Sequence, residues 1–128
     1  MTIAYICVLI AGILPLVWVG YAKFACGFKL KDNAAPRDYL ETLKGKGQRA
    51  NWAQQNSWEA FAPFAAAVII ASLCKADPQR IDLYAGTFIV ARVLYGFFYI
   101  IDQPTLRSLV WMIGMAATYG LYYLAFAA

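Results

Sequence analysis

Histidine does not occur among the 128 residues. Its absence removes the usual general base at neutral pH and the commonest metal ligand. Cysteine occurs only as Cys7, Cys26 and Cys74, each alone in an apolar run and never in CxxC spacing. No metal centre is therefore expected, and the three thiols read as buried and inert. Cys7 and Cys74 fall toward one membrane face, which leaves a disulfide open but unsupported. Charge is also scarce, at 14% of residues against about a quarter in soluble domains. The few carboxylates are not paired, so acid–base hydrolysis is poorly served. No internal repeat or low-complexity segment is evident.

What fills the chain instead is apolar. Hydrophobic residues make up 62% of it, with mean hydropathy +0.56. The expected class is an all-α integral membrane protein, a single domain over residues 1–128. The net charge of +4 raises nucleic acid as a partner. Because the basic residues gather in one loop beside apolar runs, the membrane reading wins and no nucleic acid is expected. The first apolar run lacks a basic n-region and exceeds the roughly 7–15 residues of a signal-peptide core, so it is expected to be a retained helix.

Four segments are long enough for the roughly 20 apolar residues a span requires. They run from about Ile3 to Phe24, Arg49 to Leu73, Pro78 to Ile101 and Pro104 to Phe126. Pro15 predicts a kink in the first. Asp77 with Pro78, and Asp102 with Pro104, read as the N-caps and first turns of the third and fourth. A long connection, about Lys29 to Gln48, carries Lys29, Lys31, Arg37, Lys44 and Lys46, with a flexible Gly45-Lys46-Gly47 stretch. The positive-inside rule puts this loop in the cytoplasm and both termini on the opposite side.

Polar residues interrupt the spans at a few places, and ionisable groups at membrane depth are normally kept only for an interior or watery site. Glu59 lies ten residues past Arg49 and Arg92 ten residues before Asp102. Each is therefore about 15 Å deep at 1.5 Å per residue, which predicts a Glu59–Arg92 ion pair. Gln55, Asn56 and Glu59 are read as sharing one face of the second span, and Arg92, Tyr95 and Tyr99 one face of the third. Both faces rise toward Arg107 and Ser108 at the head of the fourth. Taken singly, such amides and tyrosines would be interhelical glue, and Trp52, Trp58 and Trp111 interfacial anchors. Their convergence at one level favours a polar pocket near the cytoplasmic surface. Its donor-rich lining suits a carboxylate-bearing anion, and an arginine there would favour a thiolate.

The segment Arg49-Ala-Asn-Trp-Ala-Gln-Gln-Asn-Ser-Trp-Glu-Ala-Phe-Ala-Pro63 resembles the second-helix signature of the MAPEG family (membrane-associated proteins in eicosanoid and glutathione metabolism). The core of that signature is Asn-x-x-Glu with a following Pro, here Asn56, Glu59 and Pro63. Arg92, Tyr95 and Tyr99 match the third-helix pattern, and Leu106 to Trp111 resembles the start of the fourth helix in bacterial members. The resemblance implies a four-helix protomer in a homotrimer that binds glutathione between adjacent protomers. By position it assigns Arg49, Asn56, Glu59, Arg92, Tyr95 and Tyr99 to glutathione and Arg107 with Ser108 to the thiolate; Gln55 joins the glutathione set through the face it is read as sharing with Asn56 and Glu59. Eukaryotic members carry arginines where this chain has Trp52 and Gln55, and the stretch from Tyr99 to Arg107 aligns with a one-residue shift.

The implied activity is transfer of the glutathione thiolate to a lipophilic electrophile, or peroxide reduction by the same thiolate, in a bacterial inner membrane. A non-catalytic protein that binds a membrane lipid or a partner is the alternative. A small proton-coupled exporter is a more distant one, because its membrane glutamate would lie in the first helix.

Overall fold

The computed structural model describes residues 2–128 as helices joined by tight connections. In chain order these are α1 (Thr2–Phe24), a 3-10 turn (Leu30–Ala34), α2 (Pro36–Thr42), α3 (Gly45–Leu73), α4 (Pro78–Ile100) and α5 (Pro104–Ala127). The four long helices are each long and apolar enough to cross a membrane. They form a bundle in which α4 packs most extensively on α5, and α1 on α3.

Small residues set the packing. Ala4, Ala11, Ala60, Ala67, Ala71, Ala85, Ala117 and Ala125 are buried in the main core. They let backbones approach closely, as membrane helices do in the absence of a hydrophobic drive between them. Phe64 of α3 and Phe88 of α4 stack in this layer, centroids 3.8 Å apart and planes within 6°. Two glycines accept aromatic rings against bare backbone. A Cβ on Gly96 would overlap the Trp18 ring, and one on Gly120 would lie 2.6 Å from Tyr84 Cε1. Pro15 is buried inside α1, which runs on through it. Asp82 of α4 reaches the start of α1 and accepts from the Ala4 amide at 2.9 Å, satisfying one of the free N–H groups of a helix end.

Three boundary expectations change. α3 begins at Gly45 rather than Arg49 and spans 29 residues, about 43 Å at the helical rise. Gly45-Lys46-Gly47 is thus its first turn, not a flexible linker, and Gly47 lies directly against the Cys26 side chain, where a Cβ would clash. The long connection is itself folded, into the 3-10 turn and α2. Asp77 caps α4 as expected, accepting from the Gln79 amide at 3.0 Å. Asp102 does not cap α5. It has φ 61° and its amide donates to the Tyr99 carbonyl at 3.2 Å, so it ends α4 in the left-handed conformation that Asp tolerates. Gln103 precedes α5 in its place. Of the cysteines Cys7 is buried, whereas Cys26 and Cys74 are exposed and all three are free. The latter two sit just past the ends of α1 and α3.

Candidate functional site

The inward face of α4 is written in its sequence: Ile81, Ala85, Phe88, Ala91, Arg92, Tyr95 and Gly96 are its buried residues. Arg92 falls on that stripe and is only 3% exposed. A buried guanidinium requires partners. Its Nη2 donates to Asn56 Oδ1 at 2.9 Å and, at 3.4 Å, to Ser57 Oγ. Its Cζ lies 4.1 Å from the centroid of the Tyr95 ring, a cation–π distance.

Glu59 does reach the level of Arg92, but no direct ion pair joins them among the described residues. Asn56 stands between, its Nδ2 donating to Glu59 Oε2 at 3.0 Å. The amide is one turn before the carboxylate on α3, and it accepts with one end while donating with the other. The expected ion pair is therefore an amide relay. Glu59 itself remains exposed on the single chain.

The relay continues into an aromatic row. Tyr95 meets Tyr99 edge-on at 5.6 Å, and Arg107 Cζ lies 4.4 Å from the centroid of the Tyr99 ring. Trp52 also packs toward Tyr99, at 6.2 Å, so it contributes to the row as well as to the helix surface. Tyr95, Tyr99, Arg107, Ser108, Trp111 and Met112 line a cleft of about 390 Å³. Among the expected site residues, Asn56, Glu59, Arg92, Tyr95, Tyr99, Arg107 and Ser108 thus form one connected unit across α3, α4 and α5.

Two expected members lie elsewhere. Arg49 donates from both Nε and Nη2 to the Ile100 carbonyl, each at 3.1 Å. It closes the C-terminal end of α4, whose last carbonyls lack helical partners. Gln55 is one residue from Asn56, hence about 100° around the helix. It lines a second, polar cleft of about 550 Å³ with Lys23, Arg37, Glu41, Asn51 and Gln54, rather than sharing the face of Asn56 and Glu59.

That second cleft was not foreseen. Its α3 wall is a hydrogen-bonded ladder: Trp58 Nε1 donates to Gln54 Oε1 at 3.1 Å, and Gln54 Nε2 to Asn51 Oδ1 at 3.1 Å. The positions 51, 54, 55 and 58 follow the i, i+3, i+4, i+7 rule, so the signal was in the sequence. Ser57 was also missed. It carries no sequence signal beyond lying beside Asn56, and its role depends on where Arg92 arrives.

Four apolar spans, with charged and amide groups joined between α3, α4 and α5, define a four-helix integral membrane protein with a polar cluster among its helices. The sequence profile described as the MAPEG family matches residues 3–127, nearly the whole chain. The chain belongs to the MAPEG family, and its function is of the glutathione-transferase-like or related membrane type associated with that family. No curated protein and no solved structure gave a significant match.

Proposed function

We propose that the protein is a membrane-bound glutathione transferase whose active site uses the cleft of Tyr95, Tyr99, Arg107 and Ser108. The observation that carries this reading is the unbroken row from Glu59 through Asn56, Arg92, Tyr95 and Tyr99 to Arg107, with open space at its cationic end. Glutathione is the co-substrate. Its amine meets Glu59, its carboxylates meet the amide and arginine groups, and its sulfur lies by Arg107. The guanidinium stabilises the sulfur anion once the thiol proton has passed to water, and the Ser108 hydroxyl donates to it. The sulfur lone pair then forms a C–S bond to an electrophilic carbon of a lipophilic substrate arriving from the bilayer. The displaced electron pair leaves with the leaving group or, in conjugate addition, takes up a proton from water.

A homotrimer fits this reading. A carboxylate exposed at membrane depth is costly, and Glu59 is exposed on the single chain. A second protomer with its thiol ligand would cover it. The second cleft, with Lys23, Arg37 and Gln55, offers a polar wall suited to face that ligand from the neighbouring protomer. The proposed location is a bacterial inner membrane, with the long basic connection in the cytoplasm and both termini outside.

The test is glutathione calorimetry on the detergent-purified protein, with turnover of model electrophiles. Glu59→Ala should abolish binding. Arg107→Ala should cut kcat far more than binding. Equal losses in the two would make Arg107 a positioning group only. Binding without turnover of any electrophile would favour the non-catalytic reading, which the commitment of Arg49 to a backbone carbonyl supports by leaving one fewer free cation for the ligand.

A further inference from the structure

We propose that the folded connection between α1 and α3 is a binding surface for anionic glycerophospholipid headgroups, anchored by Leu30. This stands independently of the thiol reading.

The first observation is where the charge lies. Between Lys23 and Arg49 are seven of the eleven basic residues and three of the seven acids; the rest of the chain carries four of each. The whole net charge of +4 therefore belongs to this connection and its edges.

The second observation is how the connection folds. Leu40 and Leu43 are buried against Ala22 and Ala50, with Tyr39 packed beside them. Phe28 meets Tyr39 edge-on at 5.0 Å, and the Tyr39 hydroxyl donates to the Cys26 carbonyl at 3.0 Å. Asp32 accepts from the Lys29 amide at 2.8 Å, so this acid is committed within its own turn. Lys29 and Lys31 are left exposed on either side of Leu30.

Leu30 is 91% exposed. Among the described residues, every other exposed large apolar side chain lies on one of the four spans, apart from Ile101, one residue past α4. Leu30 lies on none of the four spans, whereas Leu40 and Leu43 of the same connection are buried and Phe28 and Tyr39 half-buried. Six residues earlier, Phe24 ends the α1 span at 81% exposure, which sets this turn beside the bilayer boundary. An apolar side chain between two lysines at that boundary matches an acidic membrane surface: the ammonium groups meet phosphates and the leucine enters the acyl edge.

The experiment is native mass spectrometry of the full-length, detergent-solubilised protein titrated with phosphatidylglycerol or phosphatidylcholine of identical acyl chains. The wild type should retain phosphatidylglycerol at least roughly twentyfold better, with roughly fivefold lost per lysine in Lys29→Gln and Lys31→Gln. The doubly arginine-substituted protein should keep the preference. Leu30→Ser should lower retention of both lipids alike. High salt on the wild type, which needs no variant, should erase the preference. Equal retention of the two lipids by the wild type would overturn the proposal. So would a preference that survives the double glutamine substitution or high salt.

Discussion

Arg92 and Asn56 are joined across α4 and α3 by a 2.9 Å hydrogen bond from Nη2 to Oδ1. The same amide holds Glu59 at 3.0 Å, so one neutral side chain serves a buried cation and an exposed anion together. Asn56→Leu removes both contacts at nearly constant volume. It should destabilise the protein by about 1–3 kcal/mol, the cost of leaving a buried polar group unpaired. It should also weaken glutathione binding if Glu59 loses its orientation. Thermal unfolding in detergent and calorimetry measure the two effects. Unchanged stability would mean that Arg92 finds another acceptor.

Gly96 and Trp18 supply a test of the packing that fixes α4. Gly96→Ala should cost about 1–3 kcal/mol by overpacking, because the new methyl meets the indole ring. Trp18→Leu in the same background should recover part of that loss. A double-mutant cycle reads the coupling between the two sites, and additive effects would show that the ring moves aside freely.

Arg49 should matter for stability rather than for the ligand. Arg49→Gln removes a charged donor from the Ile100 carbonyl and should lower stability by about 1 kcal/mol. Glutathione affinity should stay unchanged. A large loss of affinity at constant stability would return Arg49 to the ligand's carboxylate.

The two exposed thiols report the proposed orientation. Cys26 follows α1 and Cys74 follows α3, so they lie at opposite ends of the bundle. A membrane-impermeant maleimide applied to right-side-out vesicles should label Cys74 and spare Cys26, and inverted vesicles should give the reverse pattern. Cys7, being buried, should react from neither side. Labelling of Cys26 from outside would invert the topology.

Most of the fold was legible in the sequence because a bilayer demands long apolar runs, and those cannot be hidden. The shared level of Glu59 and Arg92 was also legible, since counting residues along a helix gives axial position. Counting does not give reach or direction around the axis. That is why the ion pair turned out to be a relay through Asn56, and why Gln55 faces another cleft. Glycine misled at residues 45 and 47. Local propensity favours a loop there, but close approach of Cys26 to Gly47 rewards the missing Cβ. The position of Arg49 could not be read either, because it answers to a carbonyl 51 residues away.

The length of α3 ties this molecule to the thickness of its surroundings. At about 43 Å the helix exceeds a hydrocarbon layer of about 30 Å by about 13 Å, roughly its first nine residues, which leaves Asn56 and Glu59 close to the boundary. A thicker bilayer draws Asn56 and Glu59 into the acyl region, and a thinner one lifts them toward water. The protein can answer such hydrophobic mismatch by tilting or by deforming nearby lipid. Acyl-chain length thereby becomes a control on the hydration of the relay, with no residue changed.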